Sequence, residues 1–333
     1  MALLEVNNLR TEFVTDNGNV QAVRSVSFKV EQGEVLGIVG ESGSGKSQTM
    51  FTIMGLLAAN AQIKSGSITF DGKEICPLHY PSKKEYDKTM SEICGNTMAM
   101  IFQDPMTFLN PVLRIDTQLM EPLLNHNKKM SKQEAFNRAL ELMKQVGIPS
   151  PEKRIKQYPF EFSGGMRQRV IIAIALANNP KLIIADEPTT ALDVTIQAQI
   201  LELIEKLKNE TGSSVIIITH DLGVVAKLCD RINIMYGGKI VETGTVDEIF
   251  YDAKHPYTVG LLSCVTNPDD DDDKELSPIP GTPPDLLNPP KGCPFVHRCD
   301  KAMKVCKEHP PETTEFSATQ KCECWLYDKR AVK

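Results

Sequence analysis

The sequence predicts an α/β protein with a largely parallel sheet, a helical insertion and a Cys-rich C-terminal extension. Two continuous apolar runs, at 182–185 and 215–218, are typical of strands buried on both faces of a sheet. A helix is predicted between them over 196–210, because Gly212 can end it. Strand–helix–strand alternation of this kind produces parallel pairing.

The remaining elements follow in chain order. Alternating or apolar runs predict strands at 4–6, 26–30, 34–39 and 66–70, with a helix over 47–57 after the third strand. From about 105 to 162 the pattern is helical, and Ser131 with Glu134 forms a capping box that opens a helix through Val146. A further helix follows residues 163–168 and is expected to end at Pro180.

Composition limits the possible function classes. The 333 residues are 41% hydrophobic and 24% charged, which is typical of a globular protein. The net charge of −6 and the lack of a dense Lys/Arg tract argue against a nucleic-acid partner. We find no signal peptide and no apolar run of the roughly 20 residues that a membrane span needs. We therefore expect a cytoplasmic protein whose membrane role, if any, comes through a partner.

The character of the chain changes after about 252. The run Asp269–Asp273 is predicted to be a solvated loop, and the Pro-rich stretch at 277–290 is typical of a linker. We place a domain boundary near 255, which separates a first domain, 1–255, from an extension, 256–333. A helical subdomain is expected at about 105–165.

One motif matches the phosphate-binding pattern G-x4-G-K-S in full, at Gly40–Ser47 between a predicted strand and a helix. Its glycines allow backbone N–H groups to face phosphates. Lys46 is expected to reach the β- and γ-phosphates, and Ser47 to bind Mg²⁺. The alternative, a glycine-rich turn that matches by chance, does not explain the strand and helix on either side.

Polar residues at the ends of apolar strands supply candidate catalytic groups. Asp186 is placed to hold Mg²⁺, and Glu187 to polarise the attacking water as a general base. The alternative role of this acidic pair is to cap a turn. His220 is a candidate for contacting the γ-phosphate, and Gln103 for bonding Mg²⁺ or the water.

Ser163, Gly164 and Gly165 open a predicted helix, and helix N-termini bind anions. A helical insertion separates them from Lys46, so we expect Ser163 to complete the site of a facing subunit. Asp193, in Ala191-Leu192-Asp193, is expected at the same joint.

Five of the nine cysteines lie close together near the C-terminus: Cys293, Cys299, Cys306, Cys322 and Cys324. In a reducing compartment such crowding indicates metal binding before disulfides. Four thiolates suit a [4Fe–4S] cluster or Zn²⁺, and the thiols could also be unligated. His297 or His309 could replace a thiolate around zinc.

Together, over about residues 1–255, these motifs resemble the nucleotide-binding subunit of an ABC (ATP-binding cassette) transporter. The resemblance implies a P-loop NTPase with a RecA-like core, an antiparallel β subdomain and a helical insertion, and it implies ATP hydrolysis with Mg²⁺ bound by Ser47, Gln103 and Asp186. It makes Glu187, His220 and Gln103 catalytic. The nucleotide contacts it implies are Phe13 (on adenine), Gly40, Glu41, Ser42, Gly43, Ser44, Gly45, Lys46, Ser47, Gln48, Ser163, Gly164, Gly165, Gln168 and Asp193. Phe162 departs from the Leu that the family usually has there.

The C-terminal segments 255–262, 279–284 and 292–299 resemble the oligopeptide/dipeptide permease subfamily, and Met166 resembles its D-type subunit. The resemblance implies a peripheral ATPase subunit of a peptide importer at the cytoplasmic face of the cell membrane. Its implied partners are an F-type ATP-binding subunit, two transmembrane permease subunits and an extracellular peptide-binding protein. It also implies a [4Fe–4S] cluster held by four cysteines, with Cys322 as an alternate ligand: Cys293, Cys299, Cys306 and Cys324.

Three alternatives stay open from the sequence. The same machine could import nickel or antimicrobial peptides, because nothing in this chain contacts cargo. A non-transport ABC ATPase acting on DNA or ribosomes is disfavoured by the single cassette and the lack of a basic tract. The Cys-rich extension could be a redox or iron sensor instead of a structural element.

Overall fold

The computed structural model describes residues 2–190, 192–264 and 279–331. The predicted Asp-rich loop and the first two residues of the predicted linker lie outside these ranges. The chain divides into two compact units. The first unit comprises residues 31–35 and 80–218, and the second comprises residues 2–30, 36–79 and the chain from 219 onward.

Among the described residues the strands are β1 (Ala2–Thr15), β2 (Gly18–Glu31), β3 (Val35–Val39), β4 (Ala61–Phe70), β5 (Lys73–Glu74), β6 (Met98–Ile101), β7 (Leu182–Asp186), β8 (Ser214–Thr219), β9 (Arg231–Tyr236), β10 (Lys239–Thr245), β11 (Thr313–Glu315) and β12 (Lys321–Glu323). The α-helices are α1 (Lys46–Met54), α2 (Lys83–Ile93), α3 (Pro105–Phe108), α4 (Ile115–His126), α5 (Lys132–Gln145), α6 (Pro151–Arg154), α7 (Gly164–Ala175), α8 (Val194–Thr211), α9 (Leu222–Leu228), α10 (Val246–Tyr251), α11 (Pro256–Ser263) and α12 (Lys304–Glu308).

In the first unit, β6, β7 and β8 form a parallel sheet. Met98 pairs with Leu182, and Ile183 pairs with Val215. All residues of β7 and β8 are buried, which explains why their sequences are continuously apolar. The predicted strands and the helix between them are confirmed; the helix runs slightly further than predicted and ends at Gly212, which has a positive φ of 68°.

The helices α4, α5 and α7 pack on one another within the first unit. The capping box that opens α5 is confirmed, because Ser131 Oγ accepts from the Glu134 N–H while the Glu134 carboxylate accepts from the Ser131 N–H. From α7, Arg169 donates to the carbonyl of Val146 over 2.7 Å. The predicted helical region therefore exists as several short helices around α7.

A four-stranded antiparallel sheet, in the order β2-β1-β4-β5, lies in the second unit. The strands β1 and β2 have 14 residues each, much longer than predicted from short runs of alternation. The pairing of β1 with β4 shifts register between Asn7 and Arg10. Such a bulge disturbs the alternation of buried and exposed residues along the strand, which is why the sequence pattern reveals only fragments of it.

The second unit also contains a mixed sheet segment in the order β11-β12-β10-β9-β3. The strand β3 pairs in parallel with β9, and Glu242 of β10 pairs with Cys322 of β12 in the antiparallel direction. The C-terminal extension thus adds two strands, β11 and β12, to the sheet that contains β3, the strand that precedes Gly40.

A shared hydrophobic core fixes the extension to this sheet. Phe295 packs against Tyr236 of β9 and Tyr257 of α11, with ring centroids 5.2 Å and 5.4 Å apart. Trp325 belongs to the same buried cluster and donates its indole N–H to the His309 carbonyl. The domain boundary near 255 stays a prediction, and the structure joins the extension to its unit through both a sheet and a core.

The described part of the predicted linker, from 279 to 290, forms no regular element but is held against β2. The N–H of Gln21 donates to the Leu286 carbonyl, and Arg24 donates to the Pro290 carbonyl. The stretch therefore differs from a free linker by having fixed partners. Among the described residues, no helix combines the length and apolar character that crossing a bilayer requires.

Candidate functional site

The loop Gly40–Gly45 joins β3 to α1 in the second unit, and Lys46 and Ser47 are the first residues of α1. Gly40 and Gly45 both have positive φ, 159° and 97°, and a β-carbon on either would collide with a backbone carbonyl, that of Met235 or Ala22. Only glycine fits these two positions. A β-carbon at Gly43 would meet nothing within 4 Å, so the loop is tight against the protein and open on its other side.

Lys46 begins α1 and is buried, with 6% of its surface exposed. Its Nζ donates to the carbonyl oxygens of Gly40 and Glu41, over 2.7 Å and 3.0 Å. These bonds fix the ammonium group over the loop. A cation held there by its own loop can also face the phosphates of a nucleotide.

In the first unit, β7 ends in the acidic pair. Asp186 is buried with 3% exposure, and Glu187 turns the chain with a positive φ of 44°. The N–H of Glu187 donates to the carbonyl of Ile218 over 2.9 Å. A non-glycine residue in the left-handed region is uncommon and is held here by its neighbours.

The carboxylate of Glu187 accepts two side-chain hydrogen bonds at one oxygen. Gln103 donates from Nε2 to Oε2 over 2.8 Å, and Thr190 donates from Oγ1 to the same oxygen over 2.8 Å. The structure thus brings together Gln103 and Glu187, which are 84 residues apart. Two donors on one oxygen orient the carboxylate, as a general base requires.

The segment 163–168 opens α7, as predicted. Ser163 is exposed and caps the helix by accepting from the Met166 N–H. Gly165 lets α7 approach α8, because a β-carbon there would be 2.8 Å from Cγ2 of Ile196. Gln168 is buried and donates to the Pro188 carbonyl over 2.8 Å, so it braces the turn after the acidic pair. Its predicted nucleotide contact stays a prediction.

The remaining predicted site residues lie on, or directly beside, helices and strands of the two units. Asp193 is exposed and caps α8 by accepting from the Ile196 N–H, while Ala191 lies outside the described residues. In the second unit, Phe13 lies on β1 half-buried, Gln48 lies on α1, and His220 is exposed directly after β8.

The extension brings its five cysteine thiols into one neighbourhood of the second unit. Burial raises the pKa of the Cys293 thiol to about 12, and its proximity to Cys324, Cys306 and Cys299 acts in the same direction. The Cys322 thiol donates a hydrogen bond to the Cys324 sulfur, and this hydrogen bond lowers the pKa of Cys324. Four soft thiols are a donor set of the kind that can hold a metal centre.

A second group has ligand-type side chains elsewhere in the same unit. Ligand atoms of Glu74, Cys76 and His79 lie within 4.8 Å of one another. The Glu74 carboxylate already accepts the N–H groups of Ile68 and Cys76. A structural role at the end of β5 explains this group.

Comparison with known proteins identifies the family of this chain. Residues 23–190 match the family model of ABC transporters. The chain belongs to the ABC transporter family. Residues 241–306 also match the model named "Oligopeptide/dipeptide transporter, C-terminal region". Membership of this family confirms the resemblance inferred from the motifs.

Curated relatives match nearly the whole chain. The oligopeptide transport ATP-binding protein OppD of Bacillus subtilis (strain 168) is 54% identical over 332 residues, 99% of this chain and 90% of the relative. The dipeptide transport ATP-binding protein DppD of Lactococcus lactis subsp. cremoris (strain MG1363) is 54% identical over 331 residues, 99% of this chain and 93% of the relative.

A solved ABC cassette has the same fold. The dimeric ATP-binding cassette MJ0796 in a post-hydrolysis state with ADP and Pi aligns with a TM-score of 0.63 and 30% identity, over 73% of this chain and 98% of that chain. The α/β cassette fold of the prediction is therefore confirmed.

Sequence reasoning missed Thr190, Tyr257 and Arg298. Thr190 follows Glu187 by three residues, a spacing at which a turn can return a side chain, and its N–H donates to the Glu187 carbonyl. Tyr257 and Arg298 contact the P-loop residue Glu41, which is more than 200 residues away. No spacing rule signals a contact of that kind.

Proposed function

We propose that this protein is the ATP-hydrolysing subunit of an importer of oligopeptides or dipeptides, acting at the cytoplasmic face of the cell membrane. The observation that carries the proposal is the 54% identity over 99% of the chain to an oligopeptide transport ATP-binding protein. That similarity extends into the C-terminal extension. Residues 241–306 match a family model that is described as the C-terminal region of oligopeptide/dipeptide transporters.

We propose a hydrolysis chemistry with a defined role for each residue. Lys46 binds the β- and γ-phosphates, while Ser47 and Asp186 bind Mg²⁺. Glu187 takes a proton from the attacking water, and Gln103 with Thr190 orients its carboxylate. The exposed His220 is proposed to contact the γ-phosphate.

We propose that the facing surface comes from a second, F-type ATP-binding subunit. Ser163 is exposed at the start of α7 and Asp193 at the start of α8, so both are accessible to a partner. Ser163 of this chain then completes the partner's ATP site, and the partner's counterpart of the segment 163–168 completes the site at Lys46. The dimeric state of the solved cassette MJ0796 supports this arrangement.

Two permease subunits and an extracellular peptide-binding protein complete the proposed importer. Large apolar side chains are exposed on the helical part of the first unit: Val112 is 76% and Phe160 67% exposed. The segments carrying them are adjacent, because the Ile115 N–H donates to the Gln157 carbonyl. Exposed apolar surface of this kind is typical of protein contacts and supports docking of a permease loop here.

We further propose a [4Fe–4S] cluster bound by Cys293, Cys299, Cys306 and Cys324. Among the described residues, these sulfurs do not form a group within 4.8 Å of one another. A cluster spreads its four thiolates over four irons, and it would cross-link four points of the extension.

Transport by the assembled complex tests the function. Reconstituted with its F-type partner, permeases and binding protein, the wild type should hydrolyse MgATP and take up labelled peptide. Glu187→Gln should still bind MgATP but hydrolyse it at least about a hundredfold more slowly. Glu141→Gln is the matched control, since Glu141 is a surface acid paired with Arg138. If the wild type hydrolyses MgATP without taking up peptide, the proposed peptide cargo is wrong. If Glu187→Gln keeps full activity, the general-base role of Glu187 is wrong.

Iron analysis tests the cluster. Full-length chain purified without oxygen should contain about four irons and four sulfides with visible absorption. Cys293→Ser should lose this absorption, while Cys264→Ser, outside the extension's thiol group, should keep it. A colourless, iron-free wild type would overturn the cluster.

A further inference from the structure

Glu41, the second residue of the P-loop, is held through all three of its polar groups. Its N–H donates to the hydroxyl of Tyr257 over 2.9 Å. Its carbonyl oxygen accepts from Lys46 Nζ over 3.0 Å. Its carboxylate accepts two bonds from Arg298, Nη1 to Oε2 over 2.6 Å and Nη2 to Oε1 over 3.0 Å. Two of these three partners come from the C-terminal part of the chain.

All five N–H groups of the Arg298 guanidinium donate hydrogen bonds. Besides its two bonds to Glu41, it donates from Nε to the Pro280 carbonyl, from Nη2 to the Ile279 carbonyl and from Nη1 to the Tyr236 hydroxyl. These five bonds match the five N–H groups of a guanidinium. The side chain is only 6% exposed. A buried, fully bonded Arg in a bidentate pair is a rigid anchor, and lysine cannot reproduce it.

The rings around the pair make the anchor stiffer. The rings of Tyr236 and Tyr257 lie 4.5 Å apart, and the Arg298 guanidinium lies 5.7 Å from the Tyr236 ring centroid. Phe295 packs against both tyrosines. The extension thus presents Arg298 and the Tyr257 hydroxyl to the loop from a packed aromatic core.

The charge of Glu41 gives this contact a consequence for ligand binding. A carboxylate in a phosphate-binding loop repels a triphosphate unless a cation neutralises it. Arg298 supplies that cation and turns the carboxylate toward the extension. The bond to Tyr257 fixes the peptide at Glu41, where Lys46 is also attached.

We propose that Arg298 and Tyr257 are positioning residues through which the C-terminal extension sets the affinity of the P-loop for the triphosphate of ATP. The proposal rests on the ATP-binding function proposed above. In this proposal, residues of the extension hold the P-loop in the conformation that binds the triphosphate.

The first experiment separates affinity from turnover. Arg298→Ala in the full-length chain should weaken MgATP binding, measured by calorimetry, roughly tenfold or more. In the assembled complex it should raise KM for MgATP by more than it lowers kcat. Arg298→Lys should fall between Arg298→Ala and the wild type, because it keeps the charge but loses the fork. The matched control is Arg330→Ala, since Arg330 pairs with Asp328 and Glu312 of the extension, and it should bind MgATP as the wild type does.

A second-site variant tests the mechanism. Adding Glu41→Gln to Arg298→Ala removes the unneutralised carboxylate, so it should recover most of the lost MgATP affinity. A purely structural role of Arg298 predicts no recovery.

The outcomes are distinguishable. If the wild type binds no MgATP, the proposed function fails. If the wild type binds MgATP and Arg298→Ala binds it equally well, this inference alone fails. If Arg298→Ala weakens binding, lowers the melting temperature and is not rescued by Glu41→Gln, Arg298 only stabilises the fold and the inference is likewise overturned.

Discussion

Gln103 Nε2 lies 2.8 Å from Oε2 of Glu187 and donates a hydrogen bond to it. The two residues follow neighbouring parallel strands, β6 and β7, so the sheet itself sets their separation. Because Gln103 lies two residues before α3, which begins at Pro105, movement of the helical segment can be transmitted to the carboxylate proposed as general base.

Removing this donor should affect turnover more than binding. Gln103→Ala leaves Glu187 with the Thr190 bond but without the amide donor, so kcat for MgATP hydrolysis by the assembled complex should fall about tenfold or more. MgATP affinity measured by calorimetry should change less than kcat. Gln157→Ala is the control, since Gln157 also donates to a glutamate, Glu161, over 3.1 Å. An equal loss of affinity and kcat would contradict an orienting role.

The aromatic core of the extension should carry a large share of stability. Phe295 is 3% exposed and packs against Tyr236 and Tyr257. Phe295→Ala should therefore lower the free energy of unfolding by about 3–5 kcal/mol, measured by urea denaturation. The control Phe316→Ala removes a ring that is 38% exposed and should cost much less. Similar losses in both variants would contradict the assigned core.

A buried histidine should make stability depend on pH. Burial lowers the pKa of His255 to about 3, and its Nδ1 accepts from the Tyr257 N–H. The unfolded chain, with a pKa near 6.5, binds a proton that the folded protein excludes, so this contribution is present above pH 6.5 and is lost as pH falls toward 3. Between pH 7.5 and pH 5 the loss should be about 2 kcal/mol.

The matched variant for this titration is His255→Asn, which keeps a side-chain acceptor at the start of α11. Glu242 lies beside His255 and accepts its N–H over 2.9 Å, and burial raises the Glu242 pKa, which acts in the opposite direction. The difference between wild type and His255→Asn isolates the histidine. Parallel pH profiles of urea stability for the two proteins would exclude the predicted linkage.

Local chemistry made much of the fold predictable. The continuous apolar runs of β7 and β8, the capping box of α5 and the glycine that ends α8 all act within a few residues, so the sequence displays them directly. The strand β1 was underestimated because a register shift in its pairing with β4 interrupts its alternation.

Only the part of the candidate site that depends on local sequence was predictable. Gly40 and Gly45 were recognisable because only glycine tolerates those close contacts. The pairing of Arg298 with Glu41 was not, because it spans 257 residues and depends on how the extension packs on its sheet. A Pro-rich sequence also suggested a free linker where the chain is bonded to β2.

The strand β12 has a consequence for how this protein avoids self-association. Without it, β10 would present unpaired backbone groups along a seven-residue border, a template for pairing with another chain. The extension pairs with the middle of that border, at Glu242 and Thr243, and leaves instead the three-residue strand β11, which ends in Glu315. Removal of the residues after 255 should therefore expose this edge and favour aggregation, which light scattering would detect, because the extension shields part of the border of its own sheet.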